Sequence, residues 1–218
     1  MTKKAIFFDL DGTLTDSGEG IINSVVMTLE HYGLPVPSPE VLREFVGPPL
    51  DKSFIKHGVP AEQALEAVEI FRSRYNTVGV YENYPYPGVR ELLEGLQAAG
   101  HRLFVATSKP ETTAILVLKH FDLFRYFELV CGATADSSRV EKADVIAYLK
   151  TQTGITEEIL MVGDTAFDVI GAAEHGIKTI GVSWGYGKVA DMQKAGAIAI
   201  ADTADELLNM LTERSVKS

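Results

Sequence analysis

Six short, largely apolar runs recur along the chain, at 5–8, 103–106, 128–131, 159–162, 179–182 and 197–200. A strand with one wet face alternates apolar and polar residues, whereas a strand covered on both faces does not. The runs therefore predict strands buried on both sides. Between them lie helical periods. Val89, Leu92, Leu93 and Leu96 recur at i, i+3, i+4 and i+7, and Gly100 stands where a helix C-terminus favours glycine. Gly176 takes the same place after the stretch that starts at Thr165. Strand and helix in alternation predict an α/β fold, a Rossmann-like parallel sheet with helices on both faces.

The segment 17–84 breaks this rhythm. It carries helical stripes, Ile22, Val25, Val26 and Leu29 ending at Gly33, then Ala64, Ala67, Val68, Phe71 and Tyr75, and no good strand. The pattern predicts a small helical domain, 17–84, inserted into a core built from 1–16 and 85–218. Its joints fall at 16–20 and at the Pro-containing stretch 84–88.

Composition narrows the function. With 46% hydrophobic and 23% charged residues, the chain has the balance of a folded globular protein. Thirty acidic residues face 20 basic ones, a formal charge of −10, which suits neither nucleic acid nor an anionic membrane. No segment reaches the roughly 18 apolar residues that span a bilayer. The apolar run after Lys3 and Lys4 stops at Asp9, too short for a signal sequence. The single cysteine, Cys131, excludes an internal disulfide and fits a reducing compartment. A cytoplasmic protein is expected. The sequence carries no signal for an oligomeric state.

In open parallel sheets ligands bind beyond the carboxyl ends of the strands. Four such places carry chemistry. Asp9 and Asp11, in Phe8-Asp9-Leu10-Asp11-Gly12-Thr13, fall on the same side of an extended backbone. Two carboxylates that close repel unless a cation or a proton sits between them. Taken alone, the Asp-Gly pair also reads as a hairpin turn. Thr107 and Ser108 follow the second run, with Pro110 suited to the first position of the next helix. They could cap that helix, or hold an anion at its start. Asp164 ends the fourth run, and Asp168 shares its face if a helix starts there. That pair could ligate a hard divalent cation, or cap a helix with Asp168 solvated. Lys142 sits on a helical pattern between the third and fourth runs, where a lone lysine is ordinarily a surface residue. His31, His57, His101, His120 and His175 show no metal-ligand spacing. Trp184 and Tyr186, among Gly181, Gly185 and Gly187, follow the fifth run; a flexible loop near the site fits them, and ordinary packing is the safer reading.

Together the four pieces resemble the signature of the haloacid dehalogenase-like hydrolase superfamily: DxDGT, a Thr/Ser strand end, a Lys, then GDxxxD. The resemblance covers essentially the whole chain. The insert looks like that family's C1-type cap. Val46-Gly47-Pro48-Pro49-Leu50 and Arg139-Val140-Glu141-Lys142-Ala143 resemble the phosphoglycolate phosphatase-like branch and its 5′-nucleotidase-like members.

The resemblance implies a Mg²⁺-dependent phosphomonoester hydrolase acting on a small phosphate ester. It implies Asp9 as nucleophile, forming an aspartyl-phosphate, and Asp11 as acid and base. Asp9, the Asp11 carbonyl and Asp164 would hold Mg²⁺, with Asp168 bound directly or behind them. Gly12, Thr13, Thr107, Ser108 and Lys142 would hold the phosphoryl group. Gly47, Pro48, Pro49 and Lys52 are candidates for reading the leaving group, and Gly-Pro-Pro alone equally reads as a rigid turn. A phosphosugar mutase on the same scaffold, and a non-catalytic protein keeping the fold, are the alternatives.

Overall fold

The structure is a computed structural model that describes residues 3–134 and 138–212. Met1 and Thr2, the start of the opening segment, lie outside the described residues. The chain divides into two compact units, Met1–Thr15 with Pro85–Ser218, and Asp16–Tyr84.

The larger unit starts with β1 (Lys4–Phe8), and the chain leaves it through β2 (Thr15–Asp16). Four helices follow in the second unit: α1 (Gly18–His31), α2 (Pro39–Arg43), α3 (Leu50–Lys56) and α4 (Ala64–Tyr75). The chain returns through β3 (Tyr84–Pro85), which pairs with β2. The larger unit then alternates strictly: α5 (Val89–Ala98), β4 (Arg102–Pro110), α6 (Glu111–His120), β5 (Leu129–Ala133), α7 (Lys142–Thr153), β6 (Glu158–Gly163), α8 (Ala166–Ala173), β7 (Lys178–Val182), α9 (Val189–Ala195), β8 (Ala199–Ala201) and α10 (Ala204–Thr212).

Six strands form one sheet in the order β5-β4-β1-β6-β7-β8, and every pairing is parallel. The strand order reverses around β1. Successive strands run outward to β5 on one side and then resume at β6 on the other. In such sheets the crevice at that reversal is where ligands bind, and β1, β4 and β6 end there. Burial on both faces explains the missing alternation: Ala5, Ile6, Phe7 and Phe8 are all fully buried. Phe7 meets Phe104 edge-on, ring centroids 5.5 Å apart, beneath Val145, Ile146 and Leu149 of α7.

Every predicted strand is present, with shifted ends. The last run, predicted at 197–200, becomes Ala199–Ala201 because Gly196, at φ 105°, closes α9 and the Ala197 N–H caps Met192. The third, predicted at 128–131, becomes Leu129–Ala133, since Glu128 turns outward to Arg102 and the strand runs on to Ala133, paired with Pro110.

In the helical unit, Gly20 of α1 lies against the backbone of Gly79, where a β-carbon would collide with the Gly79 carbonyl. Arg74 donates to both Glu82 oxygens at 2.8 Å and to the Ser24 hydroxyl at 3.3 Å. Hydrogen bonding to Arg74 holds the Glu82 carboxyl below its ordinary range. Phe71 stacks on Tyr75 at 5.2 Å. Gly47, Pro48 and Pro49 form the bend between α2 and α3, and Lys52 is exposed on α3.

Candidate active site

Beyond Phe8 the chain curls into a tight loop. The Leu10 carbonyl accepts from the N–H groups of Thr13, Leu14 and Thr15. Gly12 allows the turn, with φ 83°, and a β-carbon there would overlap the Asp164 carboxylate. Asp9 sits at the base of this loop, its own N–H bonded to the Val162 carbonyl of β6. Its Oδ1 accepts from the Leu10 N–H at 2.8 Å and lies 2.9 Å from Lys142 Nζ.

Lys142 is the first residue of α7 and is buried, its side chain 4% exposed. Its ammonium lies 2.8 Å from Asp168 Oδ1 and 2.9 Å from Asp9 Oδ1, and it donates to the Ala106 carbonyl of β4 at 2.9 Å. Burial pulls its pKa down, but Asp168 and Asp9 more than reverse this, so it stays protonated. The Asp168 Oδ2 accepts from the N–H and hydroxyl of Thr165, which caps α8. Asp168 therefore faces inward, fully buried, and not toward solvent.

Asp164 follows β6 and is also fully buried. Its Oδ2 accepts from the Tyr186 N–H at 2.8 Å, and its Oδ1 from the Thr13 hydroxyl at 3.3 Å. Oxygens of Asp9, Asp164 and Asp168 lie within 4.8 Å of one another. Burial, then the charges of Asp168 and Asp9, push the Asp164 carboxyl up to about 8. Burial raises Asp168 as well, against the pull of Lys142.

Asp11 points elsewhere. Both of its oxygens sit on Lys109 Nζ, at 3.0 and 2.9 Å, and the Lys109 side chain is only 4% exposed. Four carboxylates thus share two lysines, and two formal negative charges stay uncompensated. An oxygen-rich, buried, doubly negative cluster is the setting a hard divalent cation fits.

A profile of the haloacid dehalogenase-like hydrolases matches residues 6–182, which span the four carboxylates and both lysines of the site. The chain belongs to that family. Among relatives of this hydrolase, the tyrosine-protein kinase PtkA of Mycobacterium tuberculosis is 43% identical over 94% of this chain and 72% of its own length. A 5′-nucleotidase of Pseudomonas aeruginosa is 40% identical over 86% of each chain. A predicted phosphatase from Clostridium acetobutylicum superposes with a TM-score of 0.91 at 38% identity, covering 97% of this chain and 98% of that one. The hydrolase lies on the phosphatase side of its family.

The strand ends thus bring Asp9, Lys142, Asp164 and Asp168 into one cluster, with Gly12 and Thr13 beside it. Thr13 places its hydroxyl on Asp164. Thr107 is buried, and its hydroxyl accepts from the Lys109 N–H at 3.3 Å, while Ser108 is exposed. Pro110 was expected as the first residue of α6; it is the residue before it, because β4 continues to Pro110. Neither hydroxyl caps α6. Asp9 and Asp11 do not close a hairpin, since β1 has parallel neighbours on both sides. Lys109 went unread in the sequence. Its signal was a charged residue at the end of the buried run 103–107, beside the conspicuous Thr107-Ser108 pair.

Proposed function

We propose that this hydrolase is a metal-dependent phosphomonoesterase that transfers the phosphoryl group of a small ester to Asp9 and then to water. The observation that carries this reading is the state of Asp9. One oxygen is pinned by the Leu10 N–H and Lys142. That leaves the other oxygen as the attacking atom in this reading. A carboxylate with one oxygen fixed attacks from a defined position, which is most of what phosphoryl transfer asks of a protein.

Asp9 and Asp164 are the carboxylates suited to hold Mg²⁺, with the Asp11 carbonyl completing the set. Asp168 stands behind them, since its Oδ1 already faces the Lys142 ammonium and its Oδ2 takes both Thr165 donors, whereas Asp164 meets only the neutral donors of Tyr186 and Thr13. When bound, the ion would neutralise the substrate's charge and polarise the phosphoryl oxygens. In the first step the Asp9 oxygen forms a bond to phosphorus while the bond to the leaving oxygen breaks. Asp11, swung off Lys109, gives that oxygen its proton. In the second step Asp11 takes a proton from water, which attacks phosphorus and frees Asp9. Lys142 stays protonated throughout and steadies the Asp9 carboxylate. Thr107, Ser108, Gly12 and Thr13 are the proposed phosphoryl contacts.

The helical unit 16–84 is read as the C1-type cap, with Gly47, Pro48, Pro49 and Lys52 as its substrate-reading residues. The named 5′-nucleotidase relative favours a 5′-nucleotide as ester, with phosphoglycolate as the second choice. No helix among the described residues is long and apolar enough to cross a membrane, and a cytoplasmic enzyme fits.

The relative named as a tyrosine kinase favours a second reading, transfer from Asp9 to a protein hydroxyl in place of water. One experiment separates the two. Nucleoside monophosphates, phosphoglycolate, sugar phosphates and ATP with a tyrosine peptide are offered with Mg²⁺ and with chelator. Mg²⁺-dependent phosphate release from a monoester supports the hydrolase. Peptide phosphorylation without monoester cleavage supports the kinase. A rearranged sugar phosphate without phosphate release supports the mutase.

A further inference from the structure

Asp164 is held mainly by a segment far from it in sequence, residues 183–188 after β7. Tyr186 donates its backbone N–H to Asp164 Oδ2 at 2.8 Å. The Trp184 indole N–H donates to the Thr13 carbonyl at 3.1 Å, and the Thr13 hydroxyl in turn donates to Asp164 Oδ1 at 3.3 Å. The loop thus reaches one carboxylate oxygen directly and the other through Thr13. On its far side the Trp184 ring meets Tyr86, centroids 6.4 Å apart.

Two glycines make this approach possible. A β-carbon on Gly185 would overlap the Asp164 side chain and the Gly12 carbonyl, and one on Gly187 would overlap the Asp164 carbonyl. Neither glycine takes a left-handed φ. Space around Asp164, and not backbone torsion, is what requires glycine there.

We propose that the 183–188 loop is a clamp that aims the Asp164 carboxylate at the bound divalent ion. Gly185 and Gly187 are its positioning residues, and Trp184 is its strut to the Asp9–Thr13 loop. The inference rests on the reading of Asp164 as a metal ligand. Groups that orient a ligand control metal affinity nearly as strongly as the ligand itself, because a carboxylate free to rotate must be ordered when the ion binds. Ordinary packing makes a different prediction: substitutions would lower the stability of the metal-free protein and leave the affinity of the folded protein unchanged.

The test is calorimetric titration of Mg²⁺ into the full chain, without substrate, for wild type, Asp164→Asn, Gly185→Ala and Trp184→Phe. Thermal melts of the metal-free proteins accompany it. Gly185→Ala is expected to weaken binding by about 10- to 100-fold. Trp184→Phe keeps the ring, loses the N–H and shifts affinity the same way by less, with a metal-free melt near wild type. Should Gly185→Ala not fold, Trp184→Phe carries the test. Trp184 is the chain's single tryptophan. Its emission is expected to change with Mg²⁺ at the calorimetric midpoint. Wild-type affinity in both loop variants, with binding lost in Asp164→Asn, overturns the clamp alone. Equal binding by wild type and Asp164→Asn overturns the metal-ligand reading beneath it.

Discussion

Replacing Lys142 with methionine removes the ammonium that lies between Asp9 and Asp168, 2.9 and 2.8 Å away, and donates to the Ala106 carbonyl. Methionine fills a similar volume, so the main loss is charge. Removing one partner of a buried ion pair costs about 3–5 kcal/mol, because the other partner is left uncompensated. The lower end of that range, about 3 kcal/mol, is the minimum expected. For a chain of this size that is a fall in melting temperature of about 6–12 °C.

Metal changes the comparison. An ion held at one hundred times its Kd adds about 2.7 kcal/mol to a protein that binds it only when folded. In Lys142→Met it also relieves the added carboxylate repulsion that Lys142 offsets in wild type. The stability gap should thus be widest in chelator and narrower in saturating Mg²⁺. Urea unfolding followed by far-UV circular dichroism, in both conditions, measures it. A gap below about 1 kcal/mol in chelator, or one unchanged by Mg²⁺, would refute the electrostatic account of this cluster.

Lys109→Met should lower kcat by roughly 10- to 100-fold with little change in KM, a part of the roughly 10²- to 10⁴-fold that general acid–base catalysis supplies, because Asp11 stays in place but loses the partner that orients it. A change confined to KM in steady-state kinetics would instead make Lys109 a substrate contact. His101 predicts the acid limb of stability. Burial, and then the charge of Lys4, hold its pKa below the ordinary 6.5, and its Nδ1 accepts from the Lys4 N–H. The folded state thus binds this proton less readily than the unfolded state. Stability is unaffected above pH 6.5 and falls as pH drops below it. His101→Asn keeps an acceptor for Lys4 and cannot titrate. Its stability loss between pH 7 and 5, measured by urea unfolding, should be smaller than that of wild type, and equal losses would contradict the assignment.

The sheet was legible because burial on both faces writes itself into the sequence as apolar runs, and 5–8, 159–162 and 179–182 miss the observed strands by at most one residue at either end. Ends were less legible where a cap or a partner decides them, as at Gly196 and Glu128. Asp9 and Asp164 were legible because charge at the end of a buried strand has few structural explanations. Lys142 was legible only through the company of the other motifs. Lys109 was not, and the loop after β7 was legible only as a possible neighbour of the site, since their meaning lies in contacts 98 and 22 residues away in sequence. Local pattern carries no trace of such pairings.

Everything proposed for this site turns on Asp9 carrying the phosphoryl group. That is tested most directly by mixing enzyme, Mg²⁺ and a cleaved phosphate ester, quenching in acid within one turnover, and weighing the peptide that contains Asp9. The added mass of one phosphoryl group is expected on that peptide in wild type, and neither that mass nor phosphate release in Asp9→Asn. Turnover by Asp9→Asn at a wild-type rate, or a phosphoryl group carried on another peptide, would contradict it.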